Sequence, residues 1–423
     1  MQVEKPNALA DLSAWLCYLE QLHPSTIDLG LERVKTVAQR LNLLQPAPYI
    51  FTVAGTNGKG TTCKTLEMIL LAANLHVGVY SSPHLLRFTE RVRIDNQEST
   101  DQETINAFTQ IENARGEISL TYFEYATLAA LYQFKQAKLD VVILEVGLGG
   151  RLDATNIVDA DVAIVTTIGI DHVDYLGNTR ESIGREKAGI FKSKSIAIVG
   201  EPDIPMSILD AAKLINCPIH CINHDWSYEQ KSNDKWDFYF SRNQYQSLPI
   251  PKVPLANAAT VIAALSYSSV QVETKQIIDG LLNSSLVGRF QTINTDPLVI
   301  IDVAHNPHAA DYLIKQLALL RSEKKHLGKV RFVIAMLKDK DIKSTLSILK
   351  GDAWYCASLY GERGCRSDVL KKYLIEDNKH NVSTFDNVFD AYQMALQDAK
   401  KDDIIVVCGS FYTVSDVLAN LAD

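Results

Sequence analysis

From Tyr49 to Thr62 the chain reads Tyr-Ile-Phe-Thr-Val-Ala-Gly-Thr-Asn-Gly-Lys-Gly-Thr-Thr. A short apolar, β-rich run leads into a glycine-rich loop with a lysine, and helix-forming sequence follows to Ala73. Strand, loop and helix N-terminus in that order make a cradle for polyphosphate, because loop N–H groups and the positive helix end converge on one point. Lys59 places a point charge for the outer phosphates, and Thr61 or Thr62 offers a hydroxyl near Mg²⁺. A nucleoside triphosphate is the expected ligand. The loop departs from the G-x-x-x-x-G-K-[ST] form. Val53 stands where the first glycine belongs, Gly60 stands where the hydroxyl residue belongs, and the first glycine is Gly55.

A chain of 423 residues predicts two or three domains with ample core. With 47% apolar and 22% charged residues and no long apolar run, neither a membrane span nor a signal peptide is expected. Seven scattered cysteines suit a reducing, cytoplasmic setting. A net charge of −8 argues against nonspecific nucleic-acid binding. Cys217, His220, Cys221 and His224 crowd four zinc-type ligands into eight residues. In an extended run their side chains alternate between faces, which opposes a tetrahedral site.

Leucines 9, 12, 16, 19 and 22 predict an amphipathic helix over 8–22. Apolar strands are then expected at 49–53, 77–80, 141–146, 161–167 and 196–199. Helices are expected near 61–73, 101–113, 121–137, 181–190, 205–215, 255–267 and 274–284. Nearly all-apolar strands separated by helices predict an α/β fold with a mostly parallel sheet covered on both faces. Residues 218–250, polar and aromatic, read as a small antiparallel excursion. A second α/β series runs through 298–303, 330–336, 354–357, 382–385 and 404–408. The junction falls near Val287-Gly288-Arg289, giving units of 1–287 and 288–423.

In open parallel sheets ligands bind at the carboxyl ends of the strands. Three segments are expected there beside the loop: Ser81-Ser82-Pro83-His84, Glu145 with Gly147 to Gly150, and Asp171-His172. A hydroxyl, a carboxylate and an imidazole near a triphosphate suggest a metal site, with Glu145 as the acid of a strand end. The glycines at 147–150 fail the dinucleotide pattern because Leu152 holds its last position, so a Rossmann oxidoreductase is disfavoured.

Taken together, Gly55–Thr61, Tyr80–His84, Thr121-Tyr-Phe-Glu124, Glu145–Asn156, Asp171-His172, Gly184–Ile190, Gly288-Arg-Phe290 and Asp302–Pro307 resemble the bacterial bifunctional dihydrofolate synthase/folylpolyglutamate synthases of the Mur ligase superfamily. The resemblance covers almost the whole chain. It implies an N-terminal P-loop ATPase domain with a mostly parallel sheet and a smaller C-terminal Rossmann-like α/β domain. It also implies an ATP-dependent carboxylate–amine ligase.

Implied for ATP are Asn57, Gly58, Lys59, Gly60, Thr61, Asn257, Arg289 and Asp302, with His305 near the nucleotide or phosphate and a candidate to assist catalysis. Implied for two Mg²⁺ ions are Ser82, Glu145, His172 and Lys187, the last as a carbamate, since a plain ammonium would repel the metal. Implied for dihydropteroate are Leu29, Gly30, Leu31, Thr121, Tyr122, Phe123, Glu124, Asp153, Ala154 and Thr155. Phe123 is a candidate to stack on the pterin and Asp153 to hydrogen-bond it, although a core aromatic and a turn cap account for them equally well. Lys59 and Lys187 are the other residues implied in catalysis.

The partners implied are dihydropteroate, reduced folates and L-glutamate, for an enzyme expected to be a monomer. Three rival readings compete. A Mur-type ligase acting on another carboxylate, such as a UDP-muramoyl peptide, is opposed by the early position of the loop. A GTPase is opposed because Asn378-Lys-His-Asn381 is a poor guanine motif, and a pure folate-binding protein leaves the loop unexplained.

Overall fold

The computed structural model describes residues 5–6, 10–25, 27–241, 243–324 and 328–422. The chain divides into two compact units, Met1–Ser285 and Leu286–Asp423.

In the larger unit the strands are β1 (Tyr49–Ala54), β2 (Val77–Tyr80), β3 (Val92–Ile94), β4 (Gln97–Glu98), β5 (Val141–Glu145), β6 (Val162–Val165), β7 (Ile196–Val199) and β8 (Ile219–Cys221). They form one sheet in the order β4-β3-β2-β5-β1-β6-β7-β8. From β2 to β8 the pairing is parallel, and β3 and β4 add an antiparallel edge. β5 and β6 are buried throughout and β7 from Ala197 onward, as strands covered on both faces must be.

One face packs under Trp15, Val37, Phe108, Tyr125 and Leu128. The other packs under helix Lys59–Ala72 and helix Leu255–Tyr267, through Leu66, Ile69, Val261 and Ile262. Register then places the functional edge. Val53 pairs with Glu145 and with Ile164, and Tyr80 pairs with Leu144. The chain therefore leaves the sheet at Gly55, Ser81, Val146 and Thr166 along one edge.

The first helix runs Leu12–Leu22, capped by Asp11, whose Oδ1 accepts from Ala14 N at 2.8 Å. Leu9 of the expected 8–22 helix lies outside the described residues. The expected excursion at 218–250 is divided. Residues 219–221 are the parallel edge strand β8. The antiparallel part is β9 (Trp226–Gln230), β10 (Lys235–Phe240) and β11 (Asn243–Pro249). β8 is too short and mixed for its pattern to announce a parallel partner. Helix Glu32–Arg40 and strands β3 and β4 were not anticipated: the helix carries Val34, Val37 and Ala38 at helical spacing over only nine residues, and the two strands are too short to show a pattern.

Cys217 and Cys221 are buried. His220 lies flat on Tyr267 with ring centroids 3.7 Å apart, and Cys217 Sγ donates to Ser195 O at 3.3 Å. Among the described residues no three His, Cys, Asp or Glu side chains gather as a metal-binding group, and all seven cysteines are free thiols. No helix of the described residues is long and apolar enough to cross a membrane.

The smaller unit holds β12 (Gln291–Thr295), β13 (Leu298–Ile301), β14 (Val330–Ile334), β15 (Ala353–Ala357), β16 (Val382–Phe385) and β17 (Ile404–Cys408). Their order is β12-β13-β17-β14-β15-β16, parallel except for β12. Its own core centres on Ile300, Phe332, Trp354, Leu370 and Val406.

Candidate active site

The phosphate loop leaves β1 through Gly55 and reaches helix Lys59–Ala72 through Gly58, its N-cap, at φ +87°. A Cβ on Gly58 would sit 2.6 Å from Asn257 Oδ1, in a backbone region that L residues rarely adopt, so glycine is required twice over. The end of β6 clamps the loop. Asn57 N donates to Thr167 Oγ1 at 3.0 Å, and Thr166 Oγ1 donates to Asn57 O at 2.7 Å. Lys59 Nζ donates to Gly55 O at 3.1 Å and Thr56 O at 3.3 Å, which holds the amine directly over the loop. Thr61 Oγ1 donates to Gly58 O at 3.0 Å and accepts from Asn257 Nδ2 at 2.6 Å. Asn257 belongs to the helix Leu255–Tyr267 of this same unit. Gly60 lies in the first helical turn.

Next along the edge is Glu145, the last residue of β5, which is buried. Its Oε2 accepts from Ser82 N at 3.3 Å. Glu145 at the end of β5 and Ser82 just past the end of β2 thus lie next to each other on one side of the loop, and a carboxylate with a hydroxyl is a donor set that suits a hard divalent cation. His172 opens a short helical turn with φ +52°, beside Asp171, whose Oδ1 accepts from His172 N at 2.8 Å.

Lys187 lies in helix Arg180–Ala188 and is buried, with 4% exposure. It is neither a solvated helix lysine nor a partner of Glu186, whose Oε1 takes Arg151 Nη2 at 3.0 Å. Burial and then the nearby Lys59 charge hold the Lys187 amine down to about 7, while Asp171 and Asp153 oppose the shift. An ammonium at this position does not fit a cation site.

The segments expected to bind the acceptor also meet. Thr121 caps helix Tyr122–Ala137 in a capping box with Glu124. Glu124 N donates to Thr121 Oγ1 at 3.2 Å, and Thr121 N donates to Glu124 Oε2 at 2.8 Å. Arg33 Nη2 reaches Glu124 Oε1 at 3.1 Å and Asp28 O at 2.9 Å. This arginine, missed in the sequence because nothing marks it locally, fastens the Leu29-Gly30-Leu31 loop to the Thr121–Glu124 turn. A Cβ on Gly30 would meet no atom within 4 Å, so the loop is open at that point.

The Phe123 ring lies on the Gly147 backbone, where an added Cβ would come within 2.5 Å of Cζ. Its centroid is 5.9 Å from that of Tyr80. Tyr122 faces Arg91, whose guanidinium carbon is 5.5 Å from the ring centroid.

Asp153 makes the bonds of a turn cap. Oδ2 accepts from Gly147 N at 3.0 Å and Leu148 N at 2.9 Å. Oδ1 accepts from Thr155 N at 3.0 Å and Thr155 Oγ1 at 2.7 Å. Four bonds occupy the usual acceptor sites of a carboxylate. Burial raises its pKa and these bonds counter the rise. Asp153 therefore shapes the 147–155 loop, with Ala154 and Thr155 buried behind it.

In the smaller unit a separate cluster forms where β13 and β17 end. Asp302 is buried; Oδ2 accepts from Phe290 N at 2.8 Å and Oδ1 from Ala304 N at 2.8 Å. Burial raises its pKa, opposed by the Arg289 charge. The guanidinium carbon of Arg289 stands 5.3 Å from the Phe411 ring centroid, and the His305 ring is 6.2 Å from the same ring. Nδ1 of His305 bonds Val303 O at 2.8 Å. Phe411 joins this cluster without any signal in the sequence beyond its position just after an apolar strand.

The Mur ligase middle domain matches residues 53–295, and the Mur ligase glutamate ligase domain matches residues 288–411. The chain belongs to the Mur ligase family. The dihydrofolate synthase/folylpolyglutamate synthase of Escherichia coli K12 is 55% identical over 415 residues, covering 98% of this chain and 96% of that protein. The Haemophilus influenzae enzyme of the same name is 47% identical over 432 residues, covering 98% of each. Among solved structures, E. coli FolC in complex with DHPP and ADP superposes with a TM-score of 0.95 at 54% identity, covering 99% of both chains. A bifunctional folylpolyglutamate synthase/dihydrofolate synthase with Mn, AMPPNP and L-glutamate bound gives 0.93 at 55% identity, covering 99% of this chain and 100% of that one. Within the Mur ligases this chain groups with these bifunctional enzymes, and its P-loop unit and smaller α/β unit are the fold of that group.

Proposed function

We propose that this Mur ligase uses ATP to join L-glutamate to dihydropteroate, giving dihydrofolate, and to tetrahydrofolate polyglutamates, lengthening their tails. The observation that carries the reading is the phosphate loop, with Lys59 over its carbonyls and buried Glu145 beside it. In the first step an acceptor carboxylate oxygen attacks the γ-phosphorus of ATP and ADP departs, leaving an acyl phosphate. The glutamate amine then attacks the acyl carbon, phosphate leaves and the amine gives up a proton. A carboxylate oxygen is a poor leaving group, so activation comes first.

Most of the chain's work is alignment and charge neutralisation. The amides of Asn57 to Gly60 and the end of helix Lys59–Ala72 hold the phosphates. Lys59 turns from the loop carbonyls to the outer phosphate oxygens. Asn257 keeps the Thr61 hydroxyl in place. Ser82, Glu145, His172 and Lys187 as its carbamate would hold two Mg²⁺ ions. Bound there, the ions supply positive charge against the triphosphate.

The buried Lys187 amine supports that modification, since only a neutral amine adds CO₂ and its pKa lies near 7. Leu29–Leu31, Thr121–Glu124 and Asp153–Thr155 form the acceptor side, with Phe123 offering a ring face to the pterin. In the smaller unit Arg289, Asp302 and His305 are the nucleotide candidates, and His305 is the candidate to receive the glutamate proton. Residues 1–287 thus carry ATP and folate and residues 288–423 the glutamate-ligase domain, in a monomeric cytoplasmic enzyme.

Product analysis by mass spectrometry, with dihydropteroate and tetrahydrofolate as separate acceptors, tests the reading. Formation of both glutamylated products is expected. ATP hydrolysis that responds to neither acceptor would refute it. Asp153→Ala is expected to lower kcat/KM for dihydropteroate more than for tetrahydrofolate polyglutamates, because the segment around Asp153 matches the family's pteroate-binding segment. Equal losses in the two assays would make Asp153 a purely structural residue.

A further inference from the structure

Behind the phosphate loop lies a buried ion network with no part in the steps above. Glu67, on helix Lys59–Ala72, is fully buried. Its carboxylate takes Arg93 Nε at 3.2 Å, Arg93 Nη2 at 3.0 Å and Lys64 Nζ at 3.1 Å. Lys64 also donates to Asn96 in the turn between β3 and β4. Arg93 sits on β3 opposite Val79 of β2, and its Nη1 donates to Ser81 Oγ at 3.1 Å. Ser81 N donates to Arg91 O at 2.9 Å, so the main chain of Ser81 is tied to the residue just before β3 and its side chain to β3 itself. The next residue is Ser82, whose N–H meets Glu145. One guanidinium thus links the phosphate-loop helix to the loop that carries Ser82.

Arginine suits the task. Its rigid planar fork grips the Glu67 carboxylate with two N–H groups and still has a third aimed at Ser81. A lysine there could satisfy one partner but would not lock both. Buried carboxylates need such partners, which ties the network to the fold. The contact with Ser81 goes beyond what burying Glu67 requires.

We propose that Arg93 is a positioning residue: anchored on Glu67, it fixes Ser81 and so presents Ser82 and Glu145 to the phosphate loop. This inference rests on the reading of Ser82 and Glu145 as the cation side of the site.

The test is Mn²⁺ binding to the full chain with AMPPNP, followed by electron paramagnetic resonance, in Arg93→Lys, Ser81→Ala, their double variant and Glu145→Gln. Arg93→Lys keeps a cation for Glu67, and Ser81→Ala removes only the acceptor. Each is expected to weaken Mn²⁺ binding about tenfold, the usual scale for a group that orients a metal ligand. The double variant is expected to lose no more than either single, because both cut one link. The melting temperature of Ser81→Ala should match the parent.

Parent-like Mn²⁺ affinity in Ser81→Ala, with weakened binding in Glu145→Gln, would overturn the role of Arg93 alone. Parent-like affinity in Glu145→Gln would overturn the cation-site reading itself, and the inference with it. Additive losses in the double variant would show two independent structural effects and also overturn it.

Discussion

Lys59→Ala is expected to cut turnover by about 100-fold or more with dihydropteroate and with tetrahydrofolate alike, as when a charge-stabilising donor is removed from a reacting centre. Both reactions share the phosphoryl transfer, and Lys59 is the cation held over the loop, 3.1 Å from Gly55 O and 3.3 Å from Thr56 O. The loop keeps its shape without that amine. Thr166 and Thr167 bind Asn57, and Thr56 N donates to Thr167 O at 2.8 Å. The melting temperature should therefore stay within about 4 °C of the parent. Steady-state assays with each acceptor, beside a thermal melt, provide the check. A folded variant with near-parental turnover would remove Lys59 from the mechanism.

Lys187→Ala is expected to slow phosphoryl transfer by roughly 10–100-fold, the range seen when metal-site support is lost. The sign of the pH effect follows from the amine. Burial and Lys59 hold its pKa down to about 7, so the neutral form that adds CO₂ dominates above that value and disappears as the pH falls through it. Carbamate and activity should therefore be lost together on acid treatment in CO₂-free buffer and return with bicarbonate above about pH 7. Because alanine leaves a cavity at a buried position, rescue is the more telling measurement. Small carboxylates such as formate or acetate should partly restore the variant. Intact mass spectrometry and ¹³C NMR with labelled bicarbonate detect the adduct directly. Full activity in CO₂-free buffer with an unmodified lysine would rule the proposal out.

Most of the architecture of the larger unit was legible because its strands are apolar on both faces and its helices are periodic. The strands at 77–80 and 196–199 and the helix at 255–267 lie where their patterns put them. β3, β4 and β8 were not legible. Three or fewer residues on a sheet edge carry too little pattern, and their pairing depends on neighbours far along the chain. The phosphate loop was legible for the opposite reason. Its chemistry is local, and Gly58 at positive φ, Lys59 and the helix start must be adjacent to work.

Residue types and spacings alone determined that this chain carries a strand–loop–helix phosphate cradle, two α/β segments and a run of motifs in Mur ligase order. Only the tertiary structure decided the surroundings in which the candidate side chains stand. It buried Lys187 away from Glu186 and so lowered its pKa, a consequence of desolvation that sequence spacing does not encode. It filled the Asp153 carboxylate with bonds from its own loop. It brought Arg33 to Glu124 and Arg93 to Ser81 across separations of 91 and 12 residues. The first joins two helices packed on one face of the sheet, and the second follows from the antiparallel pairing of β2 with β3. Burial, charge and hydrogen-bond partners belong to the packed chain and to no segment by itself.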